Sequence, residues 1–245
     1  MFNFDRRMLY IIMAILVLAG VGRYISNPDA LFMLVIAIPG VLIAITFHEF
    51  AHGFAAYKLG DSTAKDEGRL NLNPLNHIDP IGVLMLLFAG FGWGKPVNVN
   101  SRNYNRNMSI EKADAIVSIA GPLANIILAF IFALIYSALY RFAFLFVISD
   151  IGSVLGLVIY STIITNVGLG VFNLIPLPPL DGSKVIMPFL PFNVKRWFIN
   201  NAQIFYIIFI VIFITGIAGF IISPLIRGVT EVILTLASMI IGIGM

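Results

Sequence analysis

His48, Glu49 and His52 form an H-E-x-x-H motif. On a helix, residues i and i+4 share a face, so the two imidazoles can grip one metal ion. Glu49 lies beside them, where a carboxylate can take a proton from water. This pattern points to metal-dependent hydrolysis, and its setting narrows it further. The motif sits in an apolar stretch long enough to cross a bilayer, residues 31–57. Three ionisable groups in five positions are costly in lipid, so they are expected to be functional.

Catalytic zinc ordinarily has three protein ligands and one open position, so two histidines leave the site one ligand short. Imidazole and carboxylate ligands favour a single Zn2+. The chain has no cysteine, which excludes thiolate ligands, a cysteine nucleophile and a disulfide framework. The candidates for the third ligand are His77, Asp61, Asp66, Glu67, Asp79, Asp150, Asp181 and Glu231. Depth narrows the choice. His52 lies six residues before Lys58, which puts the pair about 9–15 Å from that end of the helix at 1.5 Å per residue. Asp181 follows a later apolar span on the same side, within Asn173-Leu-Ile-Pro-Leu-Pro-Pro-Leu-Asp-Gly182. The prolines end the helix and extend the chain, and Gly182 permits an unusual backbone angle. Irregular backbone at membrane depth is tolerated where it lines a cavity. Asp181 is therefore the favoured ligand, against the plainer reading of a turn aspartate before glycine. His77 and Asp79, in a turn-rich segment, read as hydrogen-bonding and turn residues.

The rest of the chain must hold these residues at depth in a membrane. It is 245 residues long, 60% hydrophobic and 11% charged, with a mean hydropathy of +0.99. That is an all-α polytopic membrane protein, a single integral-membrane domain over 1–245. A β-barrel would alternate rather than run continuously apolar. A net charge of +3 is too small to suggest a nucleic-acid partner.

Apolar spans are expected near 8–26, 31–57, 113–140, 150–175, 203–222 and 225–245. Ile81–Phe91 is too short to span and reads as a re-entrant piece. Charge supports this. With 81–91 re-entrant, Arg6, Arg7, Lys58, Lys65, Arg69, Lys95, Arg102, Arg106, Lys112, Lys184, Lys195 and Arg196 share one side, and Arg23, Arg141 and Arg227 the other. The split is 12 against 3; if 81–91 spanned, it would be 7 against 8. Six spans are expected, with both termini, the 58–112 loop and the active-site opening in the cytoplasm of a cell-membrane protein. Arg6 and Arg7 before an apolar run also resemble a signal peptide. A retained first helix is favoured, because the remaining chain needs its N-terminus inside.

Pro39-Gly40 suggests a kink or break, and Gly53 a close helix contact. Arg69–Asn73 and Lys95–Asn100 alternate apolar and polar residues. They read either as two short strands of a small β-sheet beside the active-site helix or as irregular loop. Asn125, with Gly121 and Ala124 nearby, reads as an amide bridging packed helices.

Four stretches together resemble the site-2 protease family of intramembrane zinc metalloproteases: His48–His52, Gly92-Trp-Gly-Lys-Pro96, Ala120-Gly-Pro-Leu-Ala-Asn125 and Asn173–Gly182. The match runs from about 31 to 190. The resemblance implies a zinc site of His48, His52 and Asp181, with Glu49 as general base. It implies that Asn173 stabilises the substrate carbonyl or tetrahedral intermediate; a polar contact between helices is the alternative for that residue. No segment reads as a PDZ or CBS domain, so the chain is similar to the minimal members. The implied substrate is a transmembrane protein or peptide, cut as regulated proteolysis or as clearance of membrane remnants. A metal transporter would instead spread ionisable residues through several spans.

Overall fold

The computed structural model describes residues 18, 21–22, 24–83, 93–214 and 217–242. Most of the expected first span and most of the 81–91 segment lie outside them. Nine α-helices occur among the described residues: α1 (Pro28–Lys58), α2 (Thr63–Asp66), α3 (Ile110–Phe142), α4 (Phe144–Val147), α5 (Asp150–Asn173), α6 (Asp181–Ile186), α7 (Phe192–Asn200), α8 (Ala202–Ile214) and α9 (Ile217–Ile241). Four of them are long and apolar enough to cross a membrane: α1, α3, α5 and the stretch Gly219–Ile241 of α9. The expectation of six spans is thus met by four among the described residues. The C-terminal pair is also divided differently. α9 runs on through Pro224, so no helix boundary falls at 222–225.

The long helices begin where side chains can satisfy their first free N–H groups. The Asn27 side chain accepts from Ala30 N–H ahead of Pro28 at the start of α1. Ser109 and Ser149 cap α3 and α5 in the same way. α1, α3 and α5 pack mutually, and α9 lies against α3 and α5. The core between α3, α5 and α9 is Ala129, Ala133, Ile159, Ile163, Val167, Val171, Ile233 and Ala237. Outward faces keep exposed Phe32, Val35, Ile116, Leu123 and Ile127, apolar surface suited to lipid.

Pro39-Gly40 does not break α1, which is continuous from Pro28 to Lys58. Gly40 instead permits a crossing: a Cβ there would lie 2.8 Å from Thr162 Cα on α5. Gly53 faces the short helix α2 and two loop residues, with Ala64, Leu70 and Val97 around the space a Cβ would take.

No β-sheet forms among the described residues; a single antiparallel bridge joins Ile78 and Gly94. The reason is that side chains take the groups a ladder would need. The Arg69 guanidinium donates to the carbonyls of Asn76, Lys95 and Pro96. Val97 N–H goes to Glu49 and Asn100 N–H to Asp61. The 93–100 segment is therefore pinned to α1 and to the 69–78 loop without strand pairing.

Candidate metal centre

His48 and His52 project from one face of α1 onto α3, where Gly121 leaves room for them. A Cβ at 121 would stand 2.5 Å from His52 Nε2 and 2.8 Å from His48 Cε1. The rings meet edge to face with centroids 4.6 Å apart. After α5, the proline-rich stretch turns the chain back, and Asp181 opens α6 against α3. Gly182 does not need a positive φ; among the described residues, only glycines 60, 68 and 242 have one. It is required for space, since a Cβ would lie 2.3 Å from Leu174 O at the end of α5. That close approach aims Asp181 at the histidines.

His48 Nε2 and His52 Nε2 lie 3.0 Å apart, with Asp181 Oδ2 3.1 Å from the first and 3.2 Å from the second. These three form the one such group of possible metal ligands among the described residues. The opposite ring nitrogens decide what the centre is built to hold. His52 Nδ1–H donates to Val117 O at 2.7 Å, and a carbonyl can only accept. His48 Nδ1–H donates to Asn125 Oδ1 at 2.7 Å. In each neutral ring the lone pair is then on Nε2. Two bare nitrogens and a carboxylate oxygen, all acceptors, converge where no protein donor stands between them. A cation relieves that repulsion. Ligand bonds of about 2.0–2.1 Å in a tetrahedral set place donor atoms roughly 3.3 Å apart, close to the observed spacing. The residues fit zinc.

Glu49 lines the same cavity, its Oε2 accepting from Val97 N–H at 2.9 Å. Asn173, the last residue of α5, also lines it, and its Nδ2 donates to Leu169 O at 3.0 Å. The cavity, of about 1290 Å3, has two characters. Val41, Leu42, Phe172, Ile222 and Ile226 line it with apolar side chains, and Asn98, Ser101, Tyr104, Asp114 and Lys184 with polar ones.

The other loop candidates for the third ligand are engaged elsewhere. Asp61 is buried and accepts from Thr63 N–H and hydroxyl, Asn100 N–H and Asn103 Nδ2. It ties the 100–103 turn to the end of α1. Burial alone would raise its pKa, but these hydrogen bonds outweigh that and hold it below the ordinary value. Asp66 accepts from Ser62, Glu67 from Asn98, and Asp79 from Ile81 and Gly82 N–H. His77 is fully buried, its Nε2 donating to Asn71 O.

Two residues were not singled out from sequence. Arg69 clamps two loop segments through backbone carbonyls, a role with no sequence pattern. Asn166, fully buried, accepts from Asn125. An isolated amide in an apolar span was the available signal.

Among curated proteins, the chain is 38% identical over 200 residues to the protein named "Putative zinc metalloprotease YwhC" of Bacillus subtilis, covering 82% of this chain and 90% of that one. It is 32% identical over 187 residues to a protein named in the same way, Rip2 of Mycolicibacterium smegmatis, covering 75% and 68%. Rip2 of Mycobacterium tuberculosis strain H37Rv is 29% identical over 184 residues, covering 74% and 67%. No family model and no solved structure matches the chain. The relatives' names, the membrane-length helices and a His-His-Asp centre suited to zinc together mark a membrane metalloprotease in outline. The chain belongs to the site-2 protease family of zinc metalloproteases.

Proposed function

We propose that this protein is an intramembrane zinc endopeptidase that cuts peptide bonds within or beside the transmembrane segments of other membrane proteins. The carrying observation is the convergence of His48 Nε2, His52 Nε2 and Asp181 Oδ2 within 3.2 Å, where α1, a helix long enough to cross a membrane, meets the short α6, beside a cavity lined by both apolar and polar residues. The apolar lining suits a transmembrane segment, and the polar lining suits the water that hydrolysis consumes.

In this reading His48, His52 and Asp181 hold the metal and Glu49 is the general base. Zinc, when bound, polarises the scissile carbonyl and lowers the pKa of the attacking water to about 7. Glu49 accepts the water proton and delivers it to the leaving nitrogen. The Val97 N–H engages one carboxylate oxygen and leaves the other for that transfer. Asn173 spends one amide hydrogen on Leu169 O and has a second for the oxyanion of the tetrahedral intermediate. The substrate must unwind locally before its carbonyl can enter, because helical hydrogen bonds shield the peptide bond.

With Arg227 inside α9, the other basic residues divide 12 against 2 (Arg23 and Arg141) in the order of spans expected from sequence, which favours a cytoplasmic opening, with both termini on that side. Regulated proteolysis and clearance of membrane remnants both fit this chemistry. The test is cleavage of a panel of single-span proteins in reconstituted bilayers, with product masses locating the cut. Cuts within a span or a few residues outside it are expected. Cleavage confined to soluble, unfolded polypeptides would contradict the intramembrane reading.

A further inference from the structure

Glu231 sits near the centre of the span Gly219–Ile241, and Arg227 lies one turn before it. At 1.5 Å per residue, Glu231 is about 15–18 Å from either end of that span. Both residues are exposed, and among the described residues neither takes part in an ion pair. We propose that they mark a subunit interface within the membrane: α9 pairs with α9 of a second copy of this chain, and Arg227 of each copy meets Glu231 of the other.

Packing shows that α9 lies among the spans. Ile226 lies beside Gly168 of α5, 3.7 Å from where a Cβ at 168 would stand. Ile233 and Ala237 are buried in the core with α3 and α5. The helix has three faces. One, with Thr230, Ile233 and Ala237, is buried. A second, with exposed Leu225, Val232, Leu236 and Met239, is apolar and suits lipid. The third carries Pro224, Arg227, Gly228, Glu231, Thr235 and Ser238, which recur at spacings of three and four. That face suits neither the core nor lipid. An acid and a base at this depth are costly in hydrocarbon and ordinarily face protein or water.

Charge identifies the occupant. A base followed by an acid one turn later makes the face complementary to itself. Two copies in one membrane share an orientation, so a twofold axis along the membrane normal sets their α9 helices parallel. Arg227 of one copy is then about 6 Å in height from Glu231 of the other, within reach of a guanidinium. Both charges of both copies are satisfied at once. Within one helix, base before acid is the poorer order for a pair four residues apart. Gly228 has nothing within 4 Å of where its Cβ would be, which leaves room for another helix to approach. The apolar segments 8–26 and 81–91 hold one charged residue between them, Arg23, so neither can supply an acid to Arg227.

The test uses the whole chain with two different affinity tags, co-expressed in one membrane. Wild-type chains are expected to capture each other after mild solubilisation. Arg227→Glu leaves two acids on the face, and Glu231→Arg leaves two bases. Each variant is expected to capture a second copy of itself about tenfold less, the scale of a polar contact between membrane helices. Arg227→Glu and Glu231→Arg expressed together restore both ion pairs between copies, so capture is expected to return. No pairing within one chain gives that result. Because the chain has no cysteine, a cross-link that keeps both charges serves if the reversed variants do not fold. Ser238→Cys, two turns along the same line as Glu231, is expected to form a disulfide between copies on oxidation in the membrane. Leu236→Cys, on the apolar flank, is expected to stay single. Neither readout depends on zinc. Wild-type chains that do not capture each other, mixed variants that capture no better than either alone, or equal cross-linking at 236 and 238 would each overturn the proposal.

Discussion

Gly121 on α3 lies against His52 of α1 so closely that a Cβ at 121 would stand 2.5 Å from the Nε2 atom. The imidazoles rest on the bare backbone of the neighbouring helix. Neither ring is the free end of a flexible chain, since each is held at Nδ1. Gly121→Ala must therefore displace a ligand. Zinc affinity is expected to fall about 100-fold or more, at the upper end of what a disturbed ligand orientation costs. Chelator competition on the purified variant measures it, and wild-type affinity would show that the rings can move freely.

Glu49 and Val97 are 48 residues apart and joined by one hydrogen bond of 2.9 Å. Val97→Pro removes the donor but leaves all three metal-binding side chains intact. Turnover is expected to drop about tenfold or more, the loss of roughly 1.5 kcal/mol from a hydrogen bond to a charged group. Zinc content should stay at the wild-type level. Unchanged turnover would remove Val97 N–H from the account of Glu49.

Asp61 gives a pH dependence whose sign follows from its lowered pKa. A carboxylate depressed in the folded state contributes stability above its ordinary value of about 3.9, and that contribution is lost as pH falls through the lower folded value. Asp61→Asn is expected to destabilise the protein by about 1–3 kcal/mol at neutral pH. The gap between wild type and variant in thermal midpoint should shrink as pH falls below about 4. A gap that is constant from neutral to acid would assign the loss to something other than the charge.

Because the chain lacks cysteine, single cysteines report sidedness without background. Asn98→Cys, exposed on the 93–100 segment, should react with a membrane-impermeant maleimide only from the cytoplasmic side. Ser149→Cys, between α4 and α5, should react only from the other side. Both reacting from one side would overturn the orientation taken from basic residues.

The zinc-suited triad was legible in sequence because its two parts obey local rules. Helical period puts His48 and His52 on one face, and the Pro-rich run before Asp181 forces the chain to turn at the right depth. The reasons for particular glycines were less legible. Gly40 and Gly182 are both required by close approach of another segment's backbone, and what approaches is a tertiary fact. The expected sheet failed for a similar reason. Alternation at 69–73 and 95–100 is real, but Arg69, Glu49 and Asp61 take the backbone groups that pairing would use. Asn125 was legible as an interhelical amide, while its bond to His48 depends on how α1 and α3 are registered. Asn166 was missed because a lone asparagine in an apolar span carries no spacing that says which neighbour it meets.

The most direct measurement compares wild type with Glu49→Gln on a single-span membrane substrate, with zinc content determined for each. Glutamine keeps the size of the side chain and an acceptor for Val97 N–H but cannot take a proton. The expected result is cleavage by wild type that a zinc chelator stops, no detectable cleavage by Glu49→Gln, and one zinc per chain in both. Equal cleavage by the two proteins would contradict the assignment of Glu49 as the base and, with it, the proposed activity of this site.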